Sequence, residues 1–218
     1  MENPNDKPAF LGRITASVTH DIQNVLAIIK ETSGLMEDFF LMQKSGGLED
    51  IEERLDKCIK TIKKQAYRGV NLTSGLNGFA HTADSSQAAI NIFETLKRMI
   101  YIAERLFKQK GVDVSILECE NHCSIITDPV FFQLIAFSCI ECFIDNFETK
   151  APITLEIQSS DNRMAIKFLY NDNMLTYEDY NQKIAQSPQW KKIINLCEQI
   201  RMTAEIAAEY PAILIFFK

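Results

Sequence analysis

The chain has 218 residues, of which 46% are hydrophobic and 24% charged, with a formal net charge of −6. This length suffices for one large domain or two small ones with a buried core. The acidic balance argues against non-specific binding of nucleic acid or anionic membranes, which requires an excess of Lys and Arg. No apolar run approaches the roughly 18 residues of a membrane span, and the polar N-terminus carries no signal-peptide core. We therefore expect a cytoplasmic protein without membrane insertion.

The first part of the chain, residues 8–83, is predicted to form an antiparallel helical hairpin. Apolar residues recur in the first helix at steps of three and four, namely Leu11, Ile14, Val18, Ile22, Val25 and Ile29. Ser45-Gly46-Gly47 supplies a turn, and a second apolar stripe runs from about Leu48 to Phe79. Neither helix can bury its whole stripe against the other, so we expect a homodimer whose helices 1 and 2 form a four-helix bundle.

Polar residues 81–86 predict a linker, after which residues 88–218 alternate between helical and strand patterns. Helices are predicted at 90–109, 128–146 and 188–201. Strands are predicted at 112–117, 153–158, 163–170, 203–208 and 212–217, with a turn at Ser160-Asp161-Asn162. A sheet covered on one face by helices fits this order, so the fold class is α+β.

Glycine is confined to the first half of the chain, since all eight glycines lie at or before Gly111. Phosphate-cradling loops need glycine, because backbone N–H groups must approach the anion closely and the chain must adopt positive φ. The sequence therefore excludes a P-loop, a dinucleotide fingerprint and a Gly-rich nucleotide lid from the C-terminal half.

The six cysteines are expected to be reduced in a chain without an export signal. Cys139 and Cys142 form a C-x-x-C, and His122 and Cys123 lie near them in the sequence, so a metal site is conceivable. The C-x-x-C lies inside an apolar helical run without the turn residues of a zinc knuckle. Buried structural cysteines are the favoured interpretation, and no metal is expected.

His20 lies on the first predicted helix, opposite the apolar seam at about 100° per residue. Asn24 and Arg13 fall on the same face, where Arg13 offers a possible phosphate contact by geometry alone. The carboxylate of Asp21 can reach the imidazole, and a carboxylate orients a histidine and raises its nucleophilicity. Asn24 could align a water molecule beside the ring. The alternative is a surface histidine with no chemical role; His81 and His122 lack a comparable setting.

Residues 17–29, Ser-Val-Thr-His-Asp-Ile-Gln-Asn-Val-Leu-Ala-Ile-Ile, resemble the H-box of sensor histidine kinases. The resemblance continues at Gly78-Phe79-Ala80, which is similar to the end of the kinase hairpin. Residues 108–114 resemble the stretch that precedes the first strand of the kinases' ATP-binding domain. Asp128-Pro129 resembles the start of the N-box helix. The resemblance implies a dimerising hairpin followed by an ATPase-like α/β sandwich.

The ATPase-like region departs from the kinases at the positions that hold nucleotide. Along the helix from Asp128-Pro129, the asparagine positions of the kinases fall on Ser138 and Cys142, which are poor ligands for Mg²⁺. The segment 168–174 keeps Asp172 but has no glycine for a lid. The domain is therefore interpreted as degenerate, and this chain is expected to bind no cofactor.

A kinase-like hairpin with a disabled nucleotide domain resembles the dimeric histidine phosphotransferases of bacterial phosphorelays. The resemblance implies that His20 is the phosphoacceptor and Asp21 its acid/base and orienting partner, and Asn24 matches a residue associated with phosphatase action. The implied partners are response-regulator receiver domains, with Mg²⁺ only on the receiver. Two alternatives stay open: a non-catalytic pseudokinase dimer that docks a receiver, and an atypical ATP-dependent histidine kinase.

Overall fold

The computed structural model describes residues 6–44, 50–118, 123–160, 163–172 and 176–217. Its first two helices are α1, Asp6–Lys44, and α2, Ile51–Ala80, which pack on each other as the predicted hairpin. A short 3₁₀ helix, His81–Asp84, occupies most of the predicted linker. The predicted turn at Ser45-Gly46-Gly47 lies outside the described residues.

The second region consists of β1 Ala88–Asn91, α3 Ile92–Gln109, β2 Val114–Ile116, β3 Ser124–Thr127, α4 Pro129–Asn146, β4 Ile153–Ser160, β5 Arg163–Tyr170, α5 Tyr177–Gln186, α6 Pro188–Gln199, β6 Met202–Ile206 and β7 Ala212–Phe217. Among the described residues, five strands form a sheet in the order β2-β4-β5-β7-β6, in which only β2 and β4 run parallel. Strands β1 and β3 form a separate antiparallel pair. The α+β prediction is confirmed.

Side-chain caps explain why α4 and α6 begin close to the predicted positions. The carboxylate of Asp128 accepts hydrogen bonds from the backbone N–H groups of Val130 and Phe131, and Pro129 occupies the tolerated first turn. Ser187 caps α6 in the same way, and Pro188 follows it. These caps satisfy donors that the first helical turn leaves unpaired.

Three elements differ from the prediction. Helix α5 was not predicted, because it buries only Tyr180 and Ile184, too few residues for a visible stripe; the available signal was its cap, Thr176, followed by two acidic residues. Strands β1 and β3 were also not predicted, because four residues are too few to show a clear strand pattern. They pair with each other. The remaining boundaries shift by a few residues, and the predicted turn at 160–162 falls largely outside the described residues.

One face of the five-stranded sheet forms the core with the helices. Its inward residues are Ile153, Leu155, Ile166, Phe168, Tyr170, Ile213 and Ile215, all buried. Helix α4 is buried on nearly every side. By length and composition it is also the single described helix that could cross a membrane, and 78% of that window is buried inside the protein.

The hairpin shares this core rather than standing apart from it. The Phe10 ring lies 5.5 Å from the ring of Phe79 on α2 and 5.3 Å from the ring of Phe137 on α4. A Cβ at Gly75 would approach Ile102 Cγ2 to 2.8 Å, so glycine permits α2 to lie directly against α3. The second region therefore packs closely on one end of the hairpin.

This packing changes which face of α1 is buried. The buried residues are Phe10, Ile14, Ser17, Val18, Asp21 and Val25. Leu11, Ile22 and Ile29 of the predicted seam are only partly buried. The buried face is thus rotated from the predicted seam toward α3 and α4. The pattern of α1 alone could not predict this rotation, because it contains no information about the second region. The side of α1 that carries Ile22 is left partly open in a single chain.

Candidate functional site

The imidazole of His20 is exposed on α1, and its Nδ1 lies 3.0 Å from Nδ2 of Asn24. These side chains are one helical turn apart, so they lie on one face. The exposure of His20 and its alignment with Asn24 agree with the helical spacing. The hydrogen bond uses Nδ1 and fixes the ring so that its other nitrogen, Nε2, is not engaged by Asn24.

The orientation of the Asn24 amide selects the tautomer of the ring. When the amide NH₂ donates to Nδ1, the proton of a neutral imidazole lies on Nε2. A half turn of the amide brings its oxygen to the same place, where it accepts the Nδ1 proton and leaves a lone pair on Nε2. The second arrangement makes Nε2 a nucleophile. The orientation of the Asn24 amide and the tautomer of His20 are therefore coupled.

Asp21 has different partners from those expected. It is only 9% exposed, and its two carboxylate oxygens lie 3.6 Å from Nε of Arg105 and 4.0 Å from Nη2 of Arg68. Both oxygens thus face arginines on α3 and α2, and the hydrogen bond that orients the imidazole comes from Asn24. The role of Asp21 as the orienting and acid/base partner stays a prediction.

Arg13 is directed toward the second region. Its guanidinium forms an ion pair with Glu141 on α4 and lies 5.1 Å from the centre of the Phe137 ring. Arg13 and His20 are seven positions apart, which corresponds to about 10 Å along a helix. The structure does not bring Arg13 to the imidazole, so the phosphate contact expected from helical angle alone is not supported. Helical angle ignores this axial distance and the competing carboxylate.

The arginines beside Asp21 were not identified from the sequence. Asp21, Arg68, Arg105 and Lys108 line a cleft of about 340 Å³ where α1, α2 and α3 meet. A buried carboxylate requires a cationic partner, which is a usable signal once burial is known. The sequence does not specify which of its 23 Lys and Arg residues supplies the charge, because these contacts are long-range.

The positions that match the kinases' magnesium-binding asparagines are inside the protein. Ser138 is 5% exposed and Cys142 is fully buried. Burial raises the pKa of the Cys142 thiol to about 11, and its Sγ lies 3.7 Å from Oγ of Ser187. At neutral pH the side chain is therefore a neutral thiol, which does not ligate a hard cation.

Aromatic rings fill the space beside this part of α4. Phe143 on α4 and Phe147, which directly follows α4, stack with Tyr170 on β5 and with Tyr180 on α5, at centroid distances from 5.0 Å to 6.1 Å. Tyr180 is fully buried. The unpredicted helix α5 thus contributes a core residue next to Cys142.

The other histidines and cysteines do not assemble a metal centre in the described part of the chain. Cys139, Cys142 and Cys197 are buried thiols, and burial raises the pKa of each. Within the described ranges, no group of three His, Cys, Asp or Glu side chains is placed to hold a metal ion. His122 and Cys119 lie outside those ranges, and His81 is exposed with Nδ1 2.8 Å from Asp84 Oδ2.

No protein-family model matches the chain, and no curated protein matches it. Among solved structures, it is similar to the histidine kinase AdeS of Acinetobacter baumannii, with a TM-score of 0.44, 7% identity, and coverage of 86% of this chain and 93% of that one. It is also similar to a bacterial phosphotransferase, with a TM-score of 0.43, 14% identity and 95% coverage of each chain.

A third similar structure is the histidine kinase ThkA in complex with the response regulator protein TrrA, with a TM-score of 0.45 and 13% identity. The similarity covers 99% of this chain and 63% of that one. At these TM-scores and identities, the functional interpretation depends on the chain's own residues and their geometry.

Proposed function

We propose that this protein accepts a phosphoryl group from the aspartyl phosphate of a response-regulator receiver domain on His20 and returns it to another receiver, without binding ATP. The observation that carries the proposal is the exposed imidazole whose Nδ1 is held by Asn24 at 3.0 Å. An exposed, oriented ring nitrogen is what transfer between two proteins requires, because catalysis of phosphoryl transfer is largely positioning.

The transfer balances without a further reactant. The Nε2 lone pair of His20 attacks phosphorus, the N–P bond forms, and the bond between phosphorus and the receiver's aspartate oxygen breaks. The aspartate leaves as a carboxylate. With the Asn24 amide turned so that its oxygen accepts, the Nδ1 proton stays in its hydrogen bond to Asn24. Mg²⁺ on the receiver offsets the phosphoryl charge. The reverse step passes the group to the next receiver.

Two features of the second region support a relay that does not use ATP. Cys142 and Ser138 are buried and offer no carboxylate or amide oxygen to Mg²⁺. The side chain of Tyr180 and its stacked neighbours occupy the adjacent space. The atypical-kinase alternative would require these side chains to leave the core.

Uncovered apolar residues support a homodimer built from α1 and α2. Leu26 on α1 is 59% exposed, and Val70 and Tyr67 on α2 are 60% and 73% exposed. They lie on the part of the hairpin that the second region leaves open. A soluble chain rarely leaves such a surface in water, and a second copy of the same hairpin presents a matching apolar surface.

Phosphoryl transfer is tested by incubating the protein with a receiver domain carrying a radiolabelled aspartyl phosphate. Wild-type protein is expected to take up an acid-labile, base-stable label, and His20→Ala to take up none. His81→Ala is the matched control, since His81 is also an exposed histidine with a polar partner, and it should be labelled normally. Normal labelling of His20→Ala would remove the assignment.

Two further measurements separate the alternatives. Isothermal titration with Mg-ATP is expected to show no saturable binding; binding at micromolar concentrations would favour the kinase. If wild-type protein binds a receiver stably and takes up no label across the panel of receivers tested, the chain is a non-catalytic docking protein instead.

A further inference from the structure

The second region places a charged side chain beside the residue that follows His20. Arg105 belongs to α3, and its Nε lies 3.6 Å from Oδ1 of Asp21. Arg68 of α2 lies on the other carboxylate oxygen at 4.0 Å. The Asp21 side chain is 13% exposed and that of Arg105 25%. Asp21 and Arg105 therefore interact where water screens them less than on an open surface, whereas Arg68 is 46% exposed and more strongly screened.

The separations indicate charge compensation rather than directional bonding. Both exceed the 3.5 Å limit of a hydrogen bond, whereas Coulomb attraction falls only gradually with distance. Two guanidinium groups face one carboxylate, which leaves a local surplus of one positive charge. The neighbouring cations do not add to it, because Lys108 pairs with Glu104 at 2.6 Å.

A phosphoryl group on His20 changes this charge balance. It brings a charge of about −1.5 to −2 to the residue before Asp21 in the chain, and the repulsion between two negative charges falls only gradually with distance. The positive surplus at Asp21 has the sign to offset that repulsion. The cost of phosphorylating His20 thus depends on whether the arginines are present.

We infer that Arg105, together with Arg68, is a positioning residue of the phosphotransfer site: it holds and neutralises Asp21 so that the site tolerates a phosphoryl group on His20. This inference rests on the proposed function of His20. It gives the second region a chemical contribution to the site in addition to packing, since Arg105 reaches Asp21 only while α3 lies against the hairpin.

The test compares single-turnover uptake of label from a phosphorylated receiver. Arg105→Ala is expected to lower the rate at saturating receiver by roughly tenfold. A tenfold loss corresponds to an activation free energy that is higher by about 1.4 kcal/mol, the size expected for one lost charge interaction near the reacting group. The receiver concentration for half-maximal rate should stay unchanged, because the Arg105 guanidinium is directed toward Asp21 rather than toward the docking partner. Arg105→Lys should recover most of the rate, since charge compensation needs no fixed geometry.

Arg98→Ala provides the matched control. Arg98 lies two turns earlier on α3 and donates a hydrogen bond to the Gly78 carbonyl of α2 at 3.4 Å, so it also joins the two regions but does not touch Asp21. It should transfer at the wild-type rate. Arg68→Ala is the second variant. Its side chain is 46% exposed, so we expect it to fold even if Arg105→Ala does not, and it should lower the rate in the same direction.

The outcomes separate the inference from the proposed function. The inference is overturned if Arg105→Ala and Arg68→Ala transfer like wild type while His20→Ala is inactive. It is also overturned if Arg98→Ala loses as much rate as Arg105→Ala, or if Arg105→Lys fails to recover it, since a purely structural role would do this. Label on His20→Ala would instead contradict the proposed function itself.

Discussion

The two ends of the hairpin differ sharply in burial although their sequences are similarly apolar. The proximal end, residues 6–25 and 71–80, shares a core with the second region through Phe10, Ile14, Val18, Leu72 and Phe79. The distal end comprises residues 26–44 and 51–70. Of its side chains in the described part of the chain, Cys58 alone is fully buried, and Leu41 is 65% exposed.

This difference follows from how many elements each end contacts. Two helices can cover only one side of each other, and the third and fourth layers at the proximal end come from α3 and α4. Among the described residues, no such layers cover the distal end. The proposed homodimer would cover its apolar residues, so the two ends should respond differently to the same substitution.

The largest difference is expected for truncation of a phenylalanine at each end. Phe10→Ala removes a ring that is 4% exposed and contacts Phe79 and Phe137, so it should lower the free energy of unfolding by about 3–5 kcal/mol. Phe40→Ala removes a ring that is 49% exposed and should cost about 1 kcal/mol or less at low protein concentration. Urea unfolding measures both, and equal losses would contradict the comparison.

A smaller effect, on association rather than folding, is expected from a charge at the distal surface. Leu26→Glu places a carboxylate on an exposed apolar position next to Val25, which is 2% exposed. It should weaken the proposed dimer by about 2–3 kcal/mol, from the lost apolar contact and the cost of covering a charge. Light scattering after size exclusion should then show a folded monomer.

Two control variants sharpen that measurement. Ala185→Glu puts the same charge on an exposed position of α5 and should leave the mass unchanged. Val25→Glu should reduce helical content as well, because Val25 packs inside the chain. A wild-type protein that is monomeric at all concentrations would remove the proposed dimer and leave the distal surface to another partner.

The sequence predicted the elements whose local signals are strong. The hairpin, α4, β5 and β7 were placed within two or three residues, because their apolar periods or caps lie within the elements themselves. The exposed His20 and its contact with Asn24 were predicted for the same reason, since both residues lie on one helix. The part of the candidate site that lies on one face of α1 was thus predictable from the local sequence pattern.

The other part of the site depends on packing between distant segments. The burial of Asp21 and its pairing with Arg105 arise only when α3 lies against α1. The two residues are 84 positions apart in the sequence. Arg13 was assigned to the His20 face by its helical angle, and the Glu141 carboxylate on α4 draws it elsewhere. No pattern within α1 contains either contact.

The smallest effect is expected at the ion pair that joins the proximal end of the hairpin to α4. Arg13→Ala removes the ion pair with Glu141, in which the side chains are 46% and 27% exposed, and the contact with the Phe137 ring. Partly exposed ion pairs contribute about 1 kcal/mol or less, so unfolding in urea should shift only slightly. Label uptake from a phosphorylated receiver should equal that of wild type, because Arg13 lies about 10 Å along α1 from His20. A stability loss as large as that of Phe10→Ala would mean that charge, not apolar burial, holds the hairpin to the second region. A loss of label uptake without a loss of stability would instead support Arg13 as a phosphate contact.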